Sequence, residues 1–192
     1  MSASAAYLEK LGHPATIQKY HEKYLDVESE ADLLGVVRAF RDPKQDIGSE
    51  PALVLNETLF HAQGGGQPSD SGVITVLNDD GSESDATFEV DSVKRIPDGG
   101  LILHMGSFAA GSEASFTPGA RVRLAIDAEK RSLHSRLHSA GHALDAAMCK
   151  LKDAGNAYAS ALIPTKGYHF PDAPRYVSLP PSYTHTTTSC VC

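Results

Sequence analysis

No run of 18 apolar residues occurs anywhere in this chain, so no segment reads as a transmembrane helix. The opening stretch MSASAAYLEKLGHPATIQ lacks the basic start and apolar middle of a secretory signal. Cysteine is scarce: Cys149, Cys190 and Cys192 are odd in number and too few for a disulfide scaffold. These absences point to a reducing compartment, the cytoplasm. Positive charge is also short, with 17 Lys and Arg against 24 Asp and Glu for a net charge of -7. That argues against a protein coated in basic surface for nucleic acid and leaves room for a local basic patch. No internal repeat is visible. No Lys-Ser or Lys-Thr follows the one glycine cluster, and the dinucleotide-binding spacing is missing, which excludes both kinds of phosphate-cradling loop.

What is present suffices for a core. At 192 residues and 41% hydrophobic, the chain can build one sizeable domain or two small ones. Its first half reads as short strands punctuated by Gly and Asp turns. LLGVVRAFRD carries an apolar run, and ALVLNETLF alternates and then extends. SGVITVLNDDGSES enters an Asp-Asp-Gly turn, ATFEVDSVKRI alternates cleanly, and GGLILHM follows Pro-Asp-Gly-Gly. ARVRLAID places Val122, Leu124 and Ile126 on one face. Strands at this spacing indicate a small β-barrel or a sandwich.

The period then changes. Asp127 is an expected N-cap, and Leu133, Leu137, Ala140, Leu144, Met148 and Leu151 recur at helical steps up to Gly155, an expected C-cap. This predicts an amphipathic helix of about seven turns. Within it His134, His138 and His142 fall at four-residue intervals. Such residues share a helix face, and neighbouring imidazoles can close on one Zn²⁺. His138-x-x-x-His142 is not a zincin motif, because no Glu follows the first His. Two histidines so spaced are also common as plain surface residues. Arg121, Arg123, Lys130, Arg131 and Arg136 lead into this column, either as a basic patch or as a solvated helix face. Beyond the helix, AYASALIPTKGYHFPDAPRYVSL reads as strand, turn and strand. PPSYTHTTTSCVC has no charged side chain and reads as a tail.

TLFHAQGGGQPSDSG, from Thr58 to Gly72, holds three consecutive glycines. They suit either a wide hairpin turn or close backbone approach to a ligand. Taken in order, this loop, the run GARVRLAID and the His-x-x-x-His helix closely resemble the editing region of alanyl-tRNA synthetase and its free-standing relatives, the AlaX proteins. The resemblance covers about residues 30 to 175, and KGYHFPDAP is similar to the longer AlaX-type proteins.

The resemblance implies an α+β fold: an N-terminal β-barrel-like domain (1–126), then an α/β editing domain opening with the histidine helix (127–176), then the tail (177–192). It implies zinc-dependent hydrolysis of tRNA(Ala) mischarged with serine, or with glycine. His138 and His142 would be zinc ligands. Gly64, Gly65, Gly66 and Gln67 would lie near the aminoacyl end, and Arg131 and Arg136 would face the tRNA. His134 and His169 have no assigned role. The family's second metal motif, Cys-x-x-x-His, has no match here: no His follows Cys190 or Cys192, and His185 precedes Cys190 at the wrong spacing. The editing domain therefore reads as truncated, with water or an improvised ligand filling the metal's remaining positions. A non-catalytic tRNA- or synthetase-binding module is the alternative, and a zinc-storage protein a third that leaves the glycine loop unexplained.

Overall fold

The computed structural model describes residues 15–37, 50–96, 100–161, 167–168, 171 and 176–177. The chain divides into two compact units, one formed by Met1–Gln63 with Ser69–Arg131 and the other by Gly64–Pro68 with Ser132–Cys192.

The first unit is a closed antiparallel barrel. Its strands are β2 (Glu28–Val37), β3 (Ala52–Leu55), β5 (Gly72–Leu77), β6 (Glu83–Arg95), β7 (Ile102–Phe108) and β8 (Arg121–Ile126), in the order β2-β3-β7-β6-β5-β8. Two short strands, β1 (Ile17–Gln18) and β4 (Glu57–Thr58), pair in parallel beside it. Of the two architectures left open by the strand pattern, the barrel is the one formed. Alternation sets the faces: Val122, Leu124 and Ile126 point inward from β8, while Arg121 and Arg123 point out. The outward arginines pair across the seam with β2, Arg121 with Glu30 and Arg123 with Glu28 at 2.5 Å. These charged residues explain why β2 begins five residues before the apolar run at Leu33. Charged outward positions carry no apolar mark in a half-buried strand.

Inside the barrel, Leu33, Leu53, Leu55, Phe60, Ile74, Phe88 and Leu124 are fully buried, each contributing about 1.5–3 kcal/mol by leaving water. Phe88, Phe108 and Phe116 stack edge to face, with neighbouring ring centroids 4.8 and 5.3 Å apart. A second cluster forms on the other face of β3 and β7 from Val37, Val54, Ile96, Leu101, Leu103 and Met105, so all four residues of β3 are buried.

β6 keeps Ala86, Phe88 and Val90 inward and then skips to Val93. A bulge between Val90 and Ser92 absorbs the extra residue. Opposite it stands Gly106, where a Cβ would lie 1.8 Å from the Glu89 carbonyl oxygen. Only glycine fits.

The long helix α1 spans Ala128–Asp153, as the periodicity predicts. Asp127 caps it, its Oδ1 accepting the Lys130 N–H at 2.9 Å. At the far end Gly155 adopts φ +77°, the Gly155 N–H donates to the Lys152 carbonyl and the Asn156 N–H to that of Leu151. This is a Schellman stop. Ala157–Ala161, expected as strand, is a short helix, α2. Asn156 caps it through the Ala159 N–H at 3.0 Å, and its alanines favour a helical turn. Two further short strands, β9 (Gly167–Tyr168) and β10 (Tyr176–Val177), pair antiparallel later in the same stretch. Most of the tail from 177 onward lies outside the described residues. Among the described residues no helix is long and apolar enough to cross a membrane.

His104 sits fully buried on β7. Its Nδ1–H donates to the Leu53 carbonyl at 3.1 Å, and its Nε2 accepts the Thr58 hydroxyl at 2.8 Å. Burial lowers its pKa from 6.5 to about 4, against a smaller raising effect of the Leu53 carbonyl. The unfolded chain takes up this proton near pH 6.5 and the folded one does not until about pH 4, so the unfolded state binds more protons in that window. The contribution is complete above pH 6.5 and is lost as pH falls, up to about 3 kcal/mol. Urea denaturation across this range should show the loss in the native chain and a flatter dependence in His104→Gln.

Candidate functional site

The histidine column runs from buried to open. His134 is buried, His138 half-buried and His142 exposed. One adjacent pair is brought together by a ring-to-ring hydrogen bond: the Nε2 atoms of His138 and His142 approach to 2.9 Å, with ring centroids 4.5 Å apart and planes at 81°. One Nε2–H donates to the other ring's Nε2 lone pair; moving that proton to Nδ1 of its own ring would leave two lone pairs aimed at one shared point. Two nitrogens bound to a single Zn²⁺ at 2.0–2.1 Å and tetrahedral angle stand about 3.3 Å apart. The pair therefore fits two positions of a zinc site with a few tenths of an ångström of opening. Among the described residues no group of three or more His, Cys, Asp or Glu gathers around an ion-sized space. His169, His185, Cys190 and Cys192 lie outside the described residues.

The apolar stripe of α1 behaves differently from expectation. Leu137 is buried, but Leu133, Leu144 and Leu151 are 46%, 47% and 47% exposed. Spacing marks them as one face; burial needs an opposing surface, which spacing does not encode.

The glycine cluster forms a tight turn. Gly64 and Gln67 bridge through paired bonds, the Gly64 N–H donating to Gln67 at 3.2 Å and the Gln67 N–H to Gly64 at 3.0 Å. Gly65 and Gly66 lie between them at φ +58° and +85°. Positive φ at both central positions is what a two-residue type I′ hairpin demands. The turn is narrower than the wide hairpin that three glycines suggest. Gly65 is exposed, with open space where a Cβ would be, and Gln67 is buried. This turn belongs to the same compact unit as the helix from Ser132 onward.

Arg131 and Arg136 part company. Arg136 is exposed. Arg131 is 3% exposed, and all five of its N–H donors are engaged within the fold. Nε and Nη2 donate to Asp70 Oδ2 at 3.1 and 2.6 Å, Nη1 to the carbonyls of Tyr24 and Asp26, and Nη2 also to that of Leu59. The Tyr20 ring lies 5.3 Å from the guanidinium carbon. A guanidinium so committed has no donor left for a phosphate, which corrects the tRNA-facing role expected of Arg131. Asp70, 1% exposed, also accepts the His61 N–H at 2.7 Å. Sequence reasoning passed over Asp70, although an acid closing a Gly-Pro-Ser loop and an arginine in a first helical turn were both in view.

A cleft of about 470 Å³ on the barrel unit is lined by Glu89, Asp91 and Asp127 against Lys130. Its negative balance disfavours the phosphates of a nucleic acid.

Residues 3–130 match the family described as tRNA synthetases class II (A). Among curated proteins, the chain is 36% identical over 121 residues to the alanine–tRNA ligase of Streptomyces avermitilis, covering 62% of this chain and 12% of that protein. It is 37% identical over 145 residues to the alanine–tRNA ligase of Paenarthrobacter aurescens, covering 75% and 15%. To the cytoplasmic alanine–tRNA ligase of Drosophila melanogaster it is 35% identical over 150 residues, covering 72% and 14%. The chain thus spans only about an eighth to a seventh of the length of these relatives. A closed barrel, a Gly-Gly hairpin and a converging histidine pair, on a chain matched over two thirds of its length, belong to the class II (A) tRNA synthetase family as an alanyl-tRNA synthetase-related domain.

Proposed function

We propose that this domain hydrolyses the ester of tRNA(Ala) mischarged with serine, and with glycine as a second substrate, using zinc held by His138 and His142. The observation that carries the reading is the convergence of the two Nε2 atoms to 2.9 Å in the unit that also contains the Gly65–Gly66 hairpin. A histidine pair alone is common, and so is a glycine turn. Their occurrence together in an alanyl-tRNA synthetase relative favours a metal-assisted site for an aminoacyl ester.

Each part has a physical task. With both rings neutral and protonated on Nδ1, His138 and His142 would present two Nε2 lone pairs to a shared point. Bound there, zinc supplies Lewis-acid polarisation of an ester carbonyl. The hairpin offers backbone without side-chain bulk, so an aminoacyl-adenosine can lie against it. Exposed Arg136 supplies a positive charge for the tRNA backbone. Preference for serine over alanine follows if the pocket hydrogen-bonds the serine hydroxyl, because alanine would leave those groups unpaired.

The deciding experiment pairs metal analysis with deacylation of Ser-tRNA(Ala). His138→Ala should lower zinc affinity on the order of tenfold or more and abolish hydrolysis, with the barrel still folded by circular dichroism. tRNA binding without hydrolysis in the unaltered chain supports a non-catalytic binding module instead.

Gly65 separates approach from stability. Gly65→Ala places a Cβ in open space but in a left-handed conformation, costing about 1–2 kcal/mol. Gly65→Val should cut deacylation well beyond what its change in melting temperature explains. Equal activity per folded molecule returns the turn to a structural role.

Arg136→Ala should weaken tRNA binding and reduce the slope of log K against log salt by about 0.9 or less. An unchanged slope by filter binding makes Arg136 part of a solvated helix face.

A further inference from the structure

The chain passes between its two compact units three times, at Gln63 to Gly64, at Pro68 to Ser69 and at Arg131 to Ser132. On the barrel side, residues beside all three crossings meet at one carboxylate. Before the hairpin, the His61 N–H donates to Asp70 Oδ2 at 2.7 Å; after it, the Asp70 N–H returns a bond to the His61 carbonyl at 3.1 Å. The third crossing follows Arg131, whose side chain binds the same Oδ2 at 2.6 Å. The Arg131 N–H donates to the Asp127 carbonyl in the first turn of α1.

We propose that Asp70 and Arg131 are positioning residues, which hold the barrel-unit residues flanking the Gly-Gly hairpin and the first turn of the histidine helix at a fixed spacing. That the proposed deacylation depends on this spacing is the functional half of the inference, and it rests on that reading. Two features separate this pair from ordinary core. Arg131 is used for geometry as well as charge: its planar fork reaches one carboxylate and three carbonyls from three separate segments. A lysine, with three donors on one atom, cannot span them. Oδ2 carries all three side-chain bonds, while Oδ1 has no hydrogen-bond partner among the described residues. The carboxylate is oriented toward the crossings at the expense of its own full satisfaction.

The test is hydrogen exchange on the full chain, comparing the native protein with Asp70→Asn and Arg131→Lys. Both variants should speed exchange of the Gly64 and Gln67 amides, and of α1 amides just beyond Arg131, by about tenfold or more. Amides of β2, β3 and β5 to β8 should stay within about twofold. In deacylation of Ser-tRNA(Ala), kcat should fall about tenfold with KM moved less than threefold, as expected when aligned groups drift by an ångström. Unchanged hairpin and helix amides overturn the proposal, as does an equal loss of protection throughout the barrel. Should Asp70→Asn fail to fold, Arg131→Lys, which keeps the charge, decides by the same criterion. Failure of both to fold also overturns the proposal, since the pair would then support the whole barrel. A native chain without deacylase activity removes the reading of function but leaves exchange to decide the positioning role.

Discussion

One buried carboxylate ties together segments of the barrel unit that lie far apart in the chain. Asp70 and Arg131 are withdrawn from water, and for an isolated pair of charges the loss of hydration tends to exceed the mutual attraction. Here the guanidinium regains what it loses through a full complement of acceptors, three of them backbone carbonyls from residues 24, 26 and 59. Those carbonyls lie outside the barrel ladders and would need partners of their own. The ion pair therefore solves two problems at once, satisfying loop backbone and joining the base of the glycine hairpin to the start of the long helix.

The barrel beneath it obeys simpler rules. Alternating side chains define its inside, and its irregularities fall where alternation fails. The skip from Val90 to Val93 forces a bulge, and the bulge brings the Glu89 carbonyl so near β7 that position 106 must lack a side chain. His104 shows the same economy: a polar ring in the interior is kept neutral by burial, and its two nitrogens are satisfied by one carbonyl and one hydroxyl, each placed by strand pairing.

Much of this was legible in the sequence, and the reasons differ by element. ARVRLAID and ATFEVDSVKRI announce themselves because a half-buried strand marks every second residue. The start of β2 is hidden because Glu28, Glu30 and Asp32 face outward and look like loop. The ends of α1 are written locally, in Asp127 and Gly155, and both caps form. Which side of α1 is covered is not written locally, and Leu133, Leu144 and Leu151 stand exposed on a face that the period marks as core. The histidine pairing is likewise local, one helical turn between partners. The Arg131–Asp70 bond joins residues far apart in the chain, and no local pattern announces such a bond. Read locally, Arg131 is one more basic residue at the head of a helix; its distant partners make it part of the interior.

Closure of the barrel also fixes the order in which the protein can assemble during synthesis. β8 is hydrogen-bonded on both sides, to β2 and to β5, so Glu28 finds its partner only at Ala125. A chain growing from its N-terminus can form the β5-β6-β7 meander early, yet β2 must wait with one side unpaired until the last strand is made. The Asp70 carboxylate waits longer still, because its arginine follows in the next turn of chain. Burial of that charge and completion of the seam are thus late and nearly simultaneous events on the ribosome.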